Sequence, residues 1–360
     1  MAGRVIVVEA HGVPGFVENM RRAWDDGDAV LPVDPRLPPA ARRHVVAAAR
    51  PDEPCGDRDA LIVATSGTTG PPKAVVLTHE AVAASARATS DRLGVDSQRD
   101  RWLACLPLAH VGGLGVVTRA LDSGVPCTVV DRADAVTIAS AAAAGCTLVA
   151  LVPTLLTRVD PAAFRVVLLG GSAPPATLPP NAVTTYGMTE TAGGVVYNGV
   201  PLDGVDIRVV DGEIHVRGSM LLRAYRDGTD PKHADGWLAT GDLGTWDTSS
   251  GRLRVTGRKG DLIISGGENV SPTTVEAALA SHPAVREVLV FGRHDATWGQ
   301  RVVARVVPAH PGDPPKLDAL RGHVKETLPA WAAPLELEIV EALPRTGTGK
   351  LKRPRPRESS

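Results

Sequence analysis

Short aliphatic runs bounded by Gly, Pro or Asp recur along the first half of the chain, at Ala60–Ala64, Ala74–Leu77, Cys127–Val130, Leu148–Val152 and Val166–Leu169. Between several of them lie Ala-rich stretches of helical length, such as Glu80–Leu93 and Asp134–Ala144. Runs too apolar to alternate read as strands covered on both faces, so the pattern predicts an α/β layer architecture with mostly buried strands. After Gly194 the texture changes. Val205–Val210, Glu213–Arg217 and Arg252–Thr256 are separated by turns such as Asp211-Gly212 and Ser250-Gly251, which predicts an antiparallel, β-rich subdomain. Beyond Gly257-Arg-Lys-Gly-Asp261 come a helix over Pro272–Ala280 capped by Ser271, strands at Glu287–Phe291 and Arg301–Val307, and a helix over Lys316–Thr327. Those pieces suit a small α+β domain. The expected division is 1–256, a hinge at 257–261, a C-terminal domain at 262–353 and a frayed tail at 354–360.

A length of 360 residues agrees with two or so domains at roughly 150 residues each. With 39 basic against 40 acidic residues the formal charge is −1, so no global field draws nucleic acid or an anionic membrane. The stretch from Ala135 to Thr157 carries no charge and is long enough to span a bilayer. Gly145 and Pro153 interrupt it, and its first half is mostly Ala, Ser and Thr. It reads as a buried helix at about 133–144 followed by a buried strand at about 147–152. The apolar run before Glu9 is too short for a secretory leader. Cys55, Cys105, Cys127 and Cys146 fit neither a CxxC pair nor a zinc knuckle, and read as reduced thiols of a cytoplasmic protein.

Directly after the strand Ala60–Ala64 stands Thr65-Ser-Gly-Thr-Thr-Gly-Pro-Pro-Lys73. Small residues admit a phosphate close to the backbone, hydroxyls and N–H groups donate to its oxygens, and a lysine neutralises its charge. The spacing is not that of a Walker A loop, because Gly67 and Gly70 are too close together and Pro72 precedes the lysine. Only seven of the 39 basic residues are Lys, so Lys73 marks a place where a compact point charge is wanted.

This loop resembles the phosphate-binding signature of the adenylate-forming superfamily, which includes acyl-CoA synthetases, luciferases and peptide-synthetase adenylation domains. Further motifs of that superfamily follow in order. Leu106-Pro-Leu-Ala-His-Val-Gly-Gly-Leu114 resembles its acyl-pocket segment, Gly170-Gly-Ser-Ala173 its adenine-side loop, and Tyr186-Gly-Met-Thr-Glu-Thr191 its nucleotide and magnesium motif. Thr240-Gly-Asp-Leu243 resembles the ribose-binding segment, Gly257–Asn269 the hinge and the loop after it, Asp295–Ala304 a C-terminal-domain signature, and Pro344–Lys350 the catalytic lysine loop.

The resemblance implies an adenylate-forming fold with a shortened N-terminal part, since only sixty-four residues precede Thr65. It implies ATP and Mg²⁺ as cofactors, coenzyme A as co-substrate and a small carboxylic acid as substrate, with no nucleic acid and no membrane span. A homodimer is compatible with it. Thr65, Ser66, Gly67, Thr68, Thr69 and Gly70 would cradle phosphate beside Lys73. Gly170, Gly171, Ser172, Ala173, Tyr186, Gly187 and Met188 would surround the base. Thr189 would meet the α-phosphate, Glu190 would hold the metal, and Asp242 and Arg258 would bind the ribose. Lys350 would supply positive charge during attack on the α-phosphate. His110, Gly193 and Gly194 would line the acyl pocket, Gly266 and Gly267 the approach of the thiol, and the C-terminal domain would turn about Gly260.

Taken chemically, these residue types suit their places. A tyrosine ring stacks on a base at small entropic cost, a carboxylate suits a hard cation, and an aspartate offers two acceptors to two ribose hydroxyls. Tyr186–Gly194 running into Val195–Leu202, together with Leu262–Asn269, resembles most closely the o-succinylbenzoate–CoA ligases of menaquinone biosynthesis in their short actinobacterial form. Ala192-Gly-Gly194 would clear space for an aromatic ring, and Ser172, Thr154 or water would meet the second carboxylate. Two other readings stand beside this one: a ligase or stand-alone adenylation enzyme for another acid, and a non-catalytic nucleotide-binding protein.

Overall fold

The structure is a computed structural model and describes residues 3–10, 14–65, 72–131, 133–175, 177–345 and 351–354. The chain divides into two compact units, one comprising Met1–Arg208, His215–Ala239 and Ser250–Arg252 and the other Val209–Ile214, Thr240–Ser249 and Leu253–Ser360.

The first unit holds two sheets. One runs in the order Val5–Glu9, Ala29–Val33, Asp59–Ala64, Ala74–Thr78, Ala224–Tyr225. Its first two pairings are parallel and its last two antiparallel. The other runs Val200–Pro201, Gly193–Tyr197, Ala182–Met188, Val166–Leu169, Leu148–Leu151, Trp102–Ala104, Cys127–Val129, parallel from Ala182–Met188 onward. Most of the aliphatic runs are buried, with all four residues of Leu148–Leu151 and of Val166–Leu169 inside, whereas Cys127–Val129 is half-buried. His79–Leu93 begins where Thr78 Oγ1 accepts from the Ala81 N–H at 3.1 Å, and ends at Gly94, whose φ of 55° is the left-handed turn that glycine tolerates. This helix packs on Val111–Ser123.

The strands Val205–Val210, Glu213–Gly218, Leu238–Asp247 and Arg252–Arg258 form a four-stranded sheet, and the division into units falls within them. Asp211 and Gly212 take φ of 49° and 79°, the left-handed pair that a two-residue hairpin requires. In the second unit, Glu268–Val270, Ile263–Ser265, Gly299–Pro308 and Val285–Asp295 form a sheet that Glu336–Ile339 joins by pairing with Gly299–Pro308. Helices Pro272–Ala280 and Leu317–Lys325 contribute Val275, Leu279, Leu320 and Val324 to its core.

Two expectations need correction. The stretch predicted as a buried helix is a helix over Ala135–Ala143 in which only Ile138 and Ala141 are buried, because its small residues gain little from burial and Val136 is 77% exposed. Ser271 precedes Pro272–Ala280 but does not cap it with its side chain: its hydroxyl donates to the Thr256 carbonyl at 2.6 Å, since that carbonyl is also within reach of Thr273. Just before the tail, the Arg353 guanidinium donates to both oxygens of Glu276 at 2.7 and 2.6 Å; residues 355–360 of the tail lie outside the described residues. Among the described residues no helix is long and apolar enough to cross a membrane.

All four cysteines are free thiols, and burial pushes Cys105 up to about 12. A thiol is inert until it ionises. At pH 8 the native protein is expected to leave Cys105 unlabelled by iodoacetamide, with labelling appearing only in guanidinium; peptide mass mapping reads the result, and prompt native labelling at Cys105 would contradict the packing.

Candidate active site

In the first unit the hydroxyl-rich loop is anchored at both ends by one cross-link. The Thr65 N–H donates to the Lys73 carbonyl at 2.8 Å, and the Lys73 N–H to Thr65 Oγ1 at 3.3 Å. The expected phosphate ligands Ser66, Gly67, Thr68, Thr69 and Gly70 lie outside the described residues. Lys73 is exposed, and its Nζ stands 4.5 Å from the centre of the Tyr225 ring. Strand pairing puts it there, because Tyr225 lies opposite Val75, so Lys73 is the diagonal neighbour. The Tyr225 hydroxyl donates to Glu190 Oε1 at 3.0 Å.

Glu190 belongs to the short 3-10 turn Thr189–Thr191, after the strand Ala182–Met188. That turn is fixed by Thr191, fully buried, whose Oγ1 accepts from the Met188 N–H at 2.9 Å and donates to the Gly193 carbonyl at 2.6 Å. A Cβ on Gly187 would sit 1.9 Å from the Gly193 carbonyl oxygen, so this strand crossing needs glycine. Tyr186, Met188 and Thr189 are half-buried. Gly171, Ser172 and Ala173 form an exposed loop, with Gly171 at φ 85°; a Cβ on the half-buried Gly170 would meet Thr185 Oγ1 at 2.5 Å.

His110 is the half-buried residue preceding helix Val111–Ser123. The bare Gly113 behind it lets the Leu106–Pro107 backbone pass, since a Cβ there would lie 2.3 Å from the Leu106 carbonyl. The space beside Gly194, expected to receive a substrate ring, is taken by the protein's own Tyr197, whose ring a Cβ on Gly194 would meet at 2.9 Å. Gly193, at φ 131°, has only Ser85 Oγ near, at 3.8 Å. Ser172 is exposed and Thr154 half-buried.

Sequence reasoning passed over Arg119. It lies on the same helix as the residues after His110, is only 5% exposed, stacks over Trp102 at 5.0 Å, and no carboxylate pairs with it among the described residues. Its Nε and the Trp102 Nε1 are both buried without a hydrogen-bond partner. Burial pulls the guanidinium below the usual arginine range, opposed by Tyr197 and Cys127 nearby. A buried cation without an ion-pair partner costs on the order of several kcal/mol. An arginine set among the mostly apolar residues Leu114–Leu121 of its helix was the sequence signal that could have found it.

In the second unit, Asp242 and Arg258 are brought together, Arg258 Nε lying 3.5 Å from Asp242 Oδ1. Glu213, also missed by sequence reasoning, accepts from the Gly241 N–H at 2.9 Å and pairs with Lys259 Nζ at 3.0 Å. Gly260 has ordinary φ, and a Cβ there meets nothing within 4 Å, so this conformation makes no demand for glycine. Gly266 and Gly267, at φ 61° and 86°, form a hairpin turn against Trp298. Lys350 lies outside the described residues. Two surface cavities of about 480 and 470 Å³ flank helix Pro14–Asp25 and are lined by none of the candidate site residues.

Among the described residues no group of three or more His, Cys, Asp or Glu side chains is placed to hold a metal. A single Glu190 suits Mg²⁺, which takes one or two carboxylates and fills its remaining positions with phosphate oxygens and water.

Thr65 and Lys73 at the end of a buried strand, with Tyr225 lying against Lys73 and donating to Glu190, fit a nucleotide-binding enzyme of the α/β class. Residues 49–226 match the family described as AMP-binding enzyme and residues 274–350 match the AMP-binding enzyme C-terminal domain, and the chain belongs to this family. It is 42% identical over 347 residues to a probable 2-succinylbenzoate–CoA ligase of Mycobacterium tuberculosis, covering 89% of this chain and 90% of that one. It is 37% identical to the 2-succinylbenzoate–CoA ligase of Bacillus cytotoxicus, over 81% of this chain and 68% of that one. The fold aligns with o-succinylbenzoate CoA synthetase (MenE) from Bacillus subtilis in complex with the acyl-adenylate intermediate at a TM-score of 0.85 and 26% identity, covering 99% of this chain and 88% of that one. The same enzyme in complex with ATP and magnesium ion aligns at a TM-score of 0.84 and 26% identity, over 98% and 89%.

Proposed function

We propose that the chain is an ATP-dependent 2-succinylbenzoate–CoA ligase acting in menaquinone biosynthesis. It joins the acid to AMP and then transfers the acyl group to coenzyme A. The observation that carries this is the Mycobacterium tuberculosis relative, matched over nearly the full length of both chains. The fold class, the use of ATP, Mg²⁺ and coenzyme A, and the place among acid–thiol ligases agree with the solved relatives. Residues 1–256 serve as the adenylation domain, 257–261 as hinge and 262–353 as the C-terminal domain. The free thiols suit a cytoplasmic protein.

In the first step a carboxylate oxygen of the acid attacks the α-phosphorus of ATP and pyrophosphate leaves. Anions converge there, so the protein must place fixed positive charge and donors where negative charge develops. Thr65–Gly70 and Lys73 hold the phosphates, Thr189 donates to the α-phosphate, and Lys350 neutralises the transition state. Glu190 would hold Mg²⁺, which supplies charge neutralisation across the phosphate oxygens. Tyr186 stacks on adenine, and Asp242 and Arg258 take the ribose. In the second step the thiol sulfur of coenzyme A attacks the acyl carbon and AMP leaves, with Gly266 and Gly267 giving the thiol arm room.

Arg119 answers a question the sequence left open. A substrate with a second carboxylate needs donors for it, and the buried Arg119 guanidinium, with no carboxylate paired to it among the described residues, is assigned that part beside Ser172 and Thr154.

The test is incubation of the purified protein with 2-succinylbenzoate, ATP, Mg²⁺ and coenzyme A, followed by mass spectrometry. The thioester is expected only when all four are present. Absence of this thioester, with turnover of a different acid, would overturn the substrate assignment.

A further inference from the structure

Tyr225 joins the two charged groups that the nucleotide site needs. Its hydroxyl donates to Glu190 Oε1 at 3.0 Å, and Lys73 Nζ lies over its ring at 4.5 Å. Little about its position is free to vary. The strand Ala224–Tyr225 pairs with Ala74–Thr78, the Arg223 and Arg226 N–H groups donate to the Val76 and Ala74 carbonyls at 2.9 and 2.8 Å, and the Tyr225 N–H donates to the Thr229 carbonyl at 2.8 Å. Arg223 is tied by a two-pronged ion pair to the buried Asp59, at 2.8 and 2.9 Å. Next to it the Leu222 N–H donates to the Glu190 carbonyl at 2.8 Å, so the same segment holds the main chain and the side chain of Glu190.

We propose that Tyr225 is a positioning residue with two separable tasks: its hydroxyl orients the Glu190 carboxylate toward the metal, and its ring confines the Lys73 ammonium where the triphosphate arrives. This rests on the nucleotide-site reading given above. A carboxylate with one oxygen engaged by a phenol presents the other in a fixed direction, which lowers the cost of ordering it around a cation. A lysine confined on an aromatic face loses less freedom when it meets phosphate. The tasks belong to different atoms of one side chain, so two substitutions separate them. Tyr225→Phe deletes the hydroxyl and keeps the ring; Tyr225→Leu deletes both.

Mn²⁺ binding to the protein–ATP complex, read by electron paramagnetic resonance, measures the first task, and metal-free ATP binding by calorimetry measures the second. Tyr225→Phe is expected to weaken Mn²⁺ affinity about tenfold and leave metal-free ATP affinity within twofold. Tyr225→Leu is expected to weaken Mn²⁺ equally and metal-free ATP about threefold more. Unchanged Mn²⁺ affinity in Tyr225→Phe, or equal effects of both substitutions on both ligands, would overturn the proposal. If Tyr225→Leu fails to fold, the Phe variant alone decides it through the metal titration. Glu190→Gln serves as the control: a loss of Mn²⁺ binding there with none in Tyr225→Phe sinks only the Tyr225 assignment, whereas no loss in Glu190→Gln sinks the nucleotide-site reading itself.

Discussion

Replacing Lys350 by Ala is expected to slow acid-dependent pyrophosphate release about 10²–10³-fold, the usual cost of removing one group that stabilises developing charge. The described residues on either side of the segment are held in place. Arg345 and Leu351 form a β-bridge, the Lys352 N–H donates to the Pro344 carbonyl at 2.8 Å, and Arg345 pairs with Glu287 at 2.6 Å. Leu351 packs against the core cluster of Leu289, Phe291, Val303, Val307 and Leu343, and Arg353 is clamped by Glu276. Both ends of the segment carrying the lysine are therefore tied to the second unit. The thiol step has no pyrophosphate to expel, so Lys350→Ala given ready-made acyl adenylate and coenzyme A is expected to form thioester within about threefold of the parent rate. Rapid-quench measurement of each half-reaction separates the two. Equal losses in both would mean that the substitution damages the fold rather than the first step.

Arg119→Met is expected to move activity and stability in opposite directions. Without the guanidinium the second carboxylate of the substrate enters a buried site with no partner, and kcat/KM for 2-succinylbenzoate should fall about 10²–10³-fold. A benzoate lacking that carboxylate should change less than about tenfold. In the ligand-free protein the same substitution removes a buried, uncompensated charge and fills its place with an apolar side chain of similar length, so unfolding should become harder by about 1–4 kcal/mol. A Cβ at Gly115 would lie 3.1 Å from Arg119 Nη1, so the bare backbone there accommodates the guanidinium. Thermal melts and steady-state assays with both acids check the pair of effects. Equal losses on the two acids, or a lower melting temperature, would contradict the assignment.

The candidate nucleotide site could be read from the sequence as a proposal because its residues come in continuous segments. Thr65–Lys73 and Tyr186–Thr191 are each continuous segments whose residue types disclose their chemistry, and the structure adds the Thr65–Lys73 cross-link and the Thr191 clamp. The strands read from aliphatic runs were equally accessible, because burial on both faces leaves a compositional mark. What stayed hidden depends on pairing across distance. Tyr225 matters only because its strand lies beside Ala74–Thr78, and Glu213 only because it meets Gly241 and Lys259. Ser271 misled for the same reason: a hydroxyl ahead of a helix resembles a cap until a foreign carbonyl, here of Thr256, captures it. Trp102–Ala104 is too short to register as a strand by composition, yet it sits inside the parallel sheet between Leu148–Leu151 and Cys127–Val129.

The most direct measurement is exchange of radiolabelled pyrophosphate into ATP without coenzyme A, which reports formation of the acyl adenylate alone. Exchange is predicted to require 2-succinylbenzoate and to fall about 10²–10³-fold in Lys350→Ala; exchange that proceeds without any acid, or that is undiminished by the loss of Lys350, would contradict the account.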